Sequence, residues 1–180
     1  MERYGGGQIA VVDYDPAWPT LFDRERAAIA GALSDLVVAI EHIGSTSVPG
    51  LAAKPIIDLL VGVTSLEAAR TRAAEPLETL GYTLITSYGA WLPDELFFRK
   101  GLPWTHHAHV MAPGTGRWFE FLAFRDHLRA HPDAAAAYAA EKRRLAAAHG
   151  DDIAGYRFGK TAFVAATCQR IGIPLLRPKA

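Results

Sequence analysis

The chain has 180 residues, of which 50% are hydrophobic and 21% are charged. That length and composition are typical of one globular domain with a hydrophobic core. Basic and acidic residues balance at 19 each, so the chain lacks the overall basic charge of nucleic-acid-binding proteins, and we expect no nucleic-acid partner. The single cysteine, Cys168, excludes a disulfide or a cysteine-based zinc cluster within this chain and favours the cytoplasm.

The first residues are polar and glycine-rich, so we expect Met1–Gly7 to be a disordered leader and not a secretory signal. No apolar run reaches membrane-spanning length, and no membrane partner is expected. Ile9–Val12 predicts a short edge strand. The following turn predicts a helix start, with Asp15 as the N-cap and Pro16 in the first helical position.

Two apolar runs, Leu36–Ile40 and Ile56–Val63, are typical of buried strands. Between them lies a small hydroxyl-rich turn made of Gly44, Ser45, Thr46 and Ser47. Flexible backbone N–H groups and hydroxyl donors suit phosphate oxygens. The second run carries one charge, Asp58, and a lone carboxylate is costly to bury unless it is paired or binds a cation. This order predicts a phosphate-and-metal site, with Lys54 as a further phosphate contact.

Asp58 is open to two interpretations. Strand alternation places it on one face with Ile56 and Leu60. Nucleotidyl transfer usually needs two carboxylates two positions apart, and here Leu60 occupies the second position. Asp58 is therefore either a metal ligand or an acid satisfied by Lys54 or by backbone donors.

The rest of the chain alternates strand and helix patterns. Ser65 predicts the N-cap of a helix over Leu66–Leu80 that ends at Gly81. The predicted strands are Tyr82–Thr86, Glu95–Lys100 and Thr105–Met111, and the predicted helices cover about 118–129, 132–149 and 152–171. We therefore predict a single α+β domain over 1–180. A mixed sheet with crossover helices, about 8–112, would be followed by a C-terminal helical segment, about 115–175.

Three histidines fall within four positions of one predicted strand. His107 and His109 share a face, whereas His106 points the other way. Two imidazoles at this spacing, together with one carboxylate, approach a two-histidine, one-carboxylate metal centre. If this strand lies beside that of Asp58, the three side chains meet around a divalent ion, magnesium or a transition metal, with His42 as a further ligand. The alternatives are phosphate binding, acid–base work or a structural role.

Two cationic side chains complete the set of predicted site residues. Arg99, at the end of a predicted strand, suits a bidentate phosphate contact. Lys160 shares a helix face with Tyr156 and is a candidate to close over a bound phosphate. The alternative for this pair is a solvated helix face.

Several distinct motifs follow one another along nearly the whole chain. They are Tyr14-Asp15-Pro16-Ala17-Trp18-Pro19, the stretch from His42 to Asp58, Phe97-Phe98-Arg99-Lys100-Gly101, His106-His107-Ala108-His109-Val110, and Phe124-Arg125-Asp126-His127-Leu128-Arg129-Ala130-His131-Pro132. This ordered set resembles the GrpB-like family of predicted nucleotidyltransferases.

The resemblance implies the nucleotidyltransferase fold, in which a glycine–serine turn and the acidic strand after it form the active site. The glycine–serine pair corresponds to Gly44 and Ser45, and the first metal-binding acid corresponds to Asp58. Leu60 departs from the superfamily pattern, which has a second acid there. Family chains also occur fused to dephospho-coenzyme A kinase, which suggests nucleotide or coenzyme metabolism, and the resemblance implies a bacterial source.

These patterns predict a cytoplasmic enzyme that binds a nucleotide or phosphorylated small molecule and transfers a nucleotidyl or phosphoryl group. Asp58, His107 and His109 would hold the ion or move protons. Lys54 and Arg99 would neutralise developing charge. Two alternatives stay open: a non-catalytic nucleotide-binding or ligand-binding module of the same fold, and a metal-dependent phosphohydrolase with a His/His/Asp site.

Overall fold

The computed structural model describes residues 9–89 and 92–173; the predicted leader Met1–Gly7 lies outside these residues. The described chain forms a mixed α+β fold, as predicted. Its strands are β1 (Val37–Ile43), β2 (Ile57–Val63), β3 (Tyr82–Leu84), β4 (Leu96–Lys100) and β5 (His106–Met111). Its helices are α1 (Trp18–Leu33), α2 (Leu66–Arg72), α3 (Ala74–Thr79), α4 (Gly116–Ala130), α5 (Pro132–His149) and α6 (Ile153–Arg170).

The five strands form one mixed sheet in the order β1-β2-β5-β4-β3. Strands β2 and β5 are parallel, and the other three neighbouring pairs are antiparallel. The strand that carries Asp58 therefore lies directly beside the strand that carries the paired histidines, which is the adjacency that the predicted site requires.

Strand register determines which side chains share a row across the sheet. Asp58 is opposite Ile43 in β1 and His107 in β5, and His107 is opposite Arg99 in β4. Side chains directly opposite one another project from the same face. We call this the site face and its reverse the core face. In the next row of the site face, His109 lies between Leu60 and Phe97.

Helices α1, α2 and α3 cover the core face. Their buried side chains, such as Phe22, Ile29 and Leu77, pack against strand residues that include Leu59 and Val110. Each fully buried side chain of this kind contributes roughly 1.5–3 kcal/mol to folding. This is the main hydrophobic core. It fixes the core face of the sheet against the helices, and the site lies on the opposite face.

Helix α4 covers part of the site face. Its Trp118 joins Leu60 and Met111 in a second buried cluster. A Cβ atom on Gly62 would lie 3.0 Å from the Trp118 ring, so this close packing requires glycine. Leu60 is fully buried, whereas the Asp58 side chain keeps 24% of its surface exposed. The site face is therefore accessible near Asp58 and closed two residues further along β2.

Two predicted element boundaries are wrong at the N-terminal side of the fold. Helix α1 begins at Trp18, and Pro19 occupies its first turn, so Asp15 and Pro16 precede the helix. The Asp15 carboxylate instead accepts the N–H of Ala17 at 2.8 Å, which closes a turn before the helix. The predicted strand Ile9–Val12 is a single bridge between Val12 and Ala53.

The helix predicted over Leu66–Leu80 is divided into α2 and α3. The predicted N-cap is correct, because Ser65 Oγ accepts the N–H of Ala68 at 3.2 Å. Pro76 explains the division: it has no N–H to donate to the carbonyl of Arg72, where α2 ends. Among the described residues, none of the helices is both long enough and apolar enough to cross a bilayer.

Candidate active site

The glycine of the hydroxyl-rich turn lies directly against the Asp58 carboxylate. Gly44 has φ +70°, a left-handed conformation that favours glycine. A Cβ atom at this position would lie 2.2 Å from Asp58 Oδ2. The turn and the acid, which are distant in sequence, are thus brought together, and only glycine allows the approach.

Two of the three predicted hydroxyl donors are used inside the turn. Thr46 Oγ1 donates to the carbonyl of Ile56 at 3.1 Å, and Ser47 Oγ donates to the carbonyl of Gly44 at 2.6 Å. Both side chains are buried, whereas Ser45 is partly exposed. Thr46 and Ser47 therefore hold the shape of the turn, and Ser45 is the hydroxyl placed to meet a ligand.

Asp58 and His107 form a hydrogen-bonded pair, with 2.9 Å between Oδ1 and Nδ1. Burial would raise the pKa of Asp58, but the hydrogen bond from His107 and the electrostatic influence of His107, His109 and Lys54 together outweigh it, so the pKa is lowered. Burial lowers the pKa of His107, so its ring is neutral near pH 7 and donates Nδ1–H to an ionised carboxylate. Its Nε2 is then unprotonated, and this buried atom has no hydrogen-bond partner among the described residues.

His109 lies two residues along β5 on the same face, but it is bonded to a different acid. Its Nδ1 is 2.5 Å from Oε1 of Glu95, and the other oxygen of Glu95 is 2.5 Å from Nε of Arg117. Burial would raise the pKa of Glu95, but its electrostatic and hydrogen-bond interactions with His109 and Arg117 lower it to about 2. A second carboxylate–imidazole pair therefore stands beside the first.

His42 is not brought to the site face. It is opposite Leu59 in the β1–β2 ladder, and its ring stacks on Phe22 of α1 with centroids 4.5 Å apart. Its Nε2 is 3.1 Å from Thr46 Oγ1, and burial lowers its pKa to about 4. Because Thr46 Oγ1 donates its own proton to Ile56, the neutral His42 ring donates to Thr46 and supports the turn from the core face.

These positions bear on the predicted divalent ion. Among the described residues, no three histidine, cysteine, aspartate or glutamate side chains are grouped closely enough to hold a metal. His107 and His109 are each engaged by a separate carboxylate, and His42 faces the other way. The four predicted ligands do not fit one protein-held ion. The ion stays a prediction.

The predicted lysines both lie close to one aromatic ring. Lys54 Nζ is 5.3 Å and Lys160 Nζ is 4.5 Å from the centroid of Tyr156. Burial lowers the pKa of Lys54 to about 8, although the charge of Asp58 opposes this shift. Tyr156 and Lys160 on α6 therefore lie close to Lys54, just before the strand that carries Asp58.

Arg99 completes the row that begins at Asp58 and His107. Its guanidinium lies over the ring of Trp104, 4.0 Å from the centroid, and only 7% of the residue is exposed. The ring of His107 is 6.2 Å from the same tryptophan. Stacking on an aromatic ring orients the planar guanidinium beside the imidazole.

Two arginines of α4 attach the helix to the turn. Arg129 donates from Nε and Nη2 to the carbonyl of Ser47, at 3.0 and 2.8 Å. Arg125 donates from Nη1 to the carbonyl of His42 at 3.1 Å and to the Glu41 carboxylate at 2.8 Å. These contacts hold the backbone on both sides of Gly44.

Comparison with known proteins identifies the family. Residues 8–170 match the sequence model of the family described as GrpB protein. The chain belongs to the GrpB family. A crystal structure of the conserved protein GrpB from Enterococcus faecalis is 39% identical, with a TM-score of 0.83 over 89% of this chain and 96% of that one.

The GrpB-family relatives are bacterial proteins. A UPF0157 protein of Halalkalibacterium halodurans is 41% identical over 87% of this chain and 78% of its own length. A dephospho-CoA kinase of Mycolicibacterium paratuberculosis is 33% identical over 82% of this chain but only 42% of its own length. The chain also spans only 46% of a Bacillus subtilis relative. The similar segment can therefore be part of a longer protein.

The sequence interpretation of this GrpB-family chain missed several residues around the site. Glu95, Arg117 and Trp104 have no local spacing that relates them to Asp58. Arg125 and Arg129 did carry a signal, because their i,i+4 spacing within a family motif places two cations on one face of a helix. The sequence did not show that both cations bind the backbone around the Gly44 turn.

Proposed function

We propose that this GrpB-family chain is a nucleotidyltransferase-like enzyme. It binds a nucleotide or another phosphorylated small molecule in the cytoplasm and transfers a nucleotidyl or phosphoryl group. The observation that carries the proposal is the Asp58 carboxylate, which contacts Gly44 on one side and the imidazole of His107 on the other. A glycine turn pressed against an acid on a buried strand is the arrangement that the superfamily resemblance implies.

Cationic side chains around this pair support an anionic substrate. Lys54 and Lys160 both lie close to the ring of Tyr156, and Arg99 lies in the row of His107. Ammonium groups bind phosphate as point charges, and a guanidinium binds it through two parallel hydrogen bonds. We assign phosphate binding to these three side chains and to the Gly44–Ser45 backbone.

His107 is the acid–base group of the proposed reaction. Asp58 accepts its Nδ1–H, which leaves the Nε2 lone pair to take a proton from an attacking hydroxyl. The hydroxyl oxygen then bonds to phosphorus, and the leaving phosphate departs with the electrons of the broken P–O bond. The imidazolium that forms is stabilised by Asp58, and the nearby cations stabilise the charge on the phosphoryl oxygens.

One observation favours a second candidate, a ligand-binding module of the same fold without catalysis. Leu60 is fully buried against α4, so the position of the superfamily's second acid is filled by core packing. Such a module would keep the phosphate contacts and lose the chemistry.

A thermal-shift screen tests the proposal. The full chain is heated with nucleotides, coenzymes and other phosphorylated small molecules, each with and without magnesium. A ligand at 100 times its Kd stabilises the fold by about 2.7 kcal/mol, which is readily measured. Turnover of each hit is followed by ³¹P NMR.

Two variants and a matched control separate the outcomes. Lys54→Met should weaken or abolish the ligand-induced shift, because it removes a proposed phosphate contact, and His107→Gln should lower turnover by about 10²–10⁴ while the ligand still binds. His106→Gln, on the core face, should leave both unchanged. A shift without turnover supports the binding module, tightly retained zinc or manganese supports the phosphohydrolase, and a shift that is unchanged in Lys54→Met contradicts the site.

A further inference from the structure

We infer that Glu95 is a positioning residue of the same site: it holds His109 in one tautomer and provides the second carboxylate of the site face. The effect of Glu95 on ligand turnover rests on the proposed function, whereas its effect on the His109 tautomer does not. It starts from a buried acid that no sequence motif includes. Only 2% of Glu95 is exposed, and its two oxygens are bonded to His109 and Arg117.

The path of β4 brings Glu95 to the site face. Phe97 is opposite His109 in the β4–β5 ladder, so its side chain is on the site face. Glu95 precedes it by two positions and therefore projects to the same side. Leu96, between them, joins the main core on the other face. The carboxylate thus reaches His109 from just before the strand begins.

His109 lies between Glu95, to which it is bonded, and Leu60 on β2. Leu60, which stands where the superfamily has its second acid, is directly opposite His109. The site face therefore has Asp58 with His107 in one row, and His109 with Glu95 in the next. The two carboxylates of these rows come from different strands, Asp58 from β2 and Glu95 from just before β4.

The chemistry of the second pair matches that of the first. Glu95 remains ionised, because Arg117 lies against its second oxygen and is itself stacked on Phe121, 4.8 Å from the ring centroid. An ionised carboxylate accepts the Nδ1–H of His109, so the proton sits on Nδ1 and the Nε2 atom is left to accept one. His109 then presents the same nitrogen as His107, two residues away on the same face of the sheet.

The tautomer can be measured in the full chain without any ligand. ¹⁵N-labelled histidine is followed by long-range ¹H–¹⁵N NMR during a pH titration. At the alkaline end, His109 should carry its proton on Nδ1 in the wild-type chain, as His107 does. A proton on Nε2 of His109 overturns the inference, and this result needs no variant to fold.

Glu95→Gln is the matched test of the cause. The uncharged amide should release His109 to a mixture of tautomers, whereas His107 should be unchanged. Glu25→Gln is the control, because Glu25 is also a buried carboxylate, bonded to Lys100 on the core face at 2.8 Å. It should alter neither His107 nor His109. Loss of the His109 signal pattern in both variants would overturn the inference.

The functional part uses the phosphorylated hit of the thermal-shift screen. Glu95→Gln should lower its turnover at least tenfold and shift the pH profile, while the Glu25→Gln variant keeps both. If Lys54→Met weakens binding but Glu95→Gln leaves turnover and pH profile unchanged, the inference fails and the proposed function stands. If no phosphorylated compound binds, the proposed function fails, and the NMR result alone decides whether Glu95 positions His109.

Discussion

At the scale of single residues, the site depends on the close contact between Gly44 and Asp58. Gly50, six positions later, has a similar conformation at φ +77° but has open space where its side chain would be. The two glycines therefore separate backbone strain from steric conflict with the acid.

Gly44→Ala should destabilise the fold by about 2–5 kcal/mol, since left-handed strain and overpacking against Asp58 add together. Gly50→Ala carries the strain alone and should cost about 1–2 kcal/mol. Urea denaturation measures both. Equal losses in the two variants would show that the Asp58 contact is easily relieved.

A buried lysine should make stability depend on pH. Burial lowers the pKa of Lys142 to about 7, and its Nζ donates to the carbonyl of Ala52 at 2.5 Å. Between about pH 7 and its ordinary value of 10.5, the folded chain binds fewer protons than the unfolded chain at this group. Its contribution to the free energy of unfolding therefore rises with pH, by up to about 1.4 kcal/mol per pH unit.

Lys142→Met should remove this rise, as measured by urea denaturation at several pH values across the window. Arg143→Met is the control, because Arg143 is the exposed neighbour on α5 and its side chain keeps 51% of its surface in solvent. A rise that persists in Lys142→Met would assign the pH dependence to other groups.

At the scale of elements, α4 has two tasks: it covers the site face and holds the turn. Both nitrogens that Arg129 presents to Ser47 come from one guanidinium fork. A lysine ammonium cannot reproduce that geometry. The family motif around Arg125 and Arg129 is explained by this attachment.

Arg129→Lys should lower stability by about 1 kcal/mol, a value reduced because the side chain is partly exposed. It should also weaken ligand-induced stabilisation in the thermal-shift assay, since the turn around Gly44 loses a support. Arg144→Lys, in an exposed pair with Glu141 on α5, should change neither. Unaltered ligand binding in Arg129→Lys would show that the turn holds its own shape.

At the scale of the whole molecule, a shared buried cluster connects the sheet with helix α4, and we expect the two to unfold together. The second buried cluster joins β1, β2 and β5 to α4 through Trp118. The apolar side of α4 and this part of the site face cover each other, so each would be exposed to solvent if the other were removed. A further buried cluster joins Leu128, Tyr138 and Val164 of the C-terminal helices to Val48 and Leu51, which precede β2.

Trp118→Ala should destabilise the chain by about 3–5 kcal/mol, in a single transition seen alike by far-ultraviolet circular dichroism and by fluorescence. The adjacent Phe119 is 53% exposed, so Phe119→Ala should change stability by less than about 0.5 kcal/mol. Two separate transitions in the wild-type chain would contradict one cooperative unit.

The sequence by itself determined the α+β class, the central strands, the order of the helices along the chain and the resemblance to the GrpB family. These follow from apolar periodicity, local caps and motif order, all of which are read along the chain. The predicted site was conditional on the Asp58 strand lying beside the His107 strand, and the strand order meets that condition. The nucleotide and the divalent ion stay predictions.

Tertiary structure alone decided the partners of each group. Register paired Asp58 with His107 and gave His109 to Glu95, while His42 was turned to the core face. Burial directed Thr46 and Ser47 into the turn. Which atoms meet across a sheet depends on strand order and on which face a helix covers, and neither property is encoded in the spacing of nearby residues.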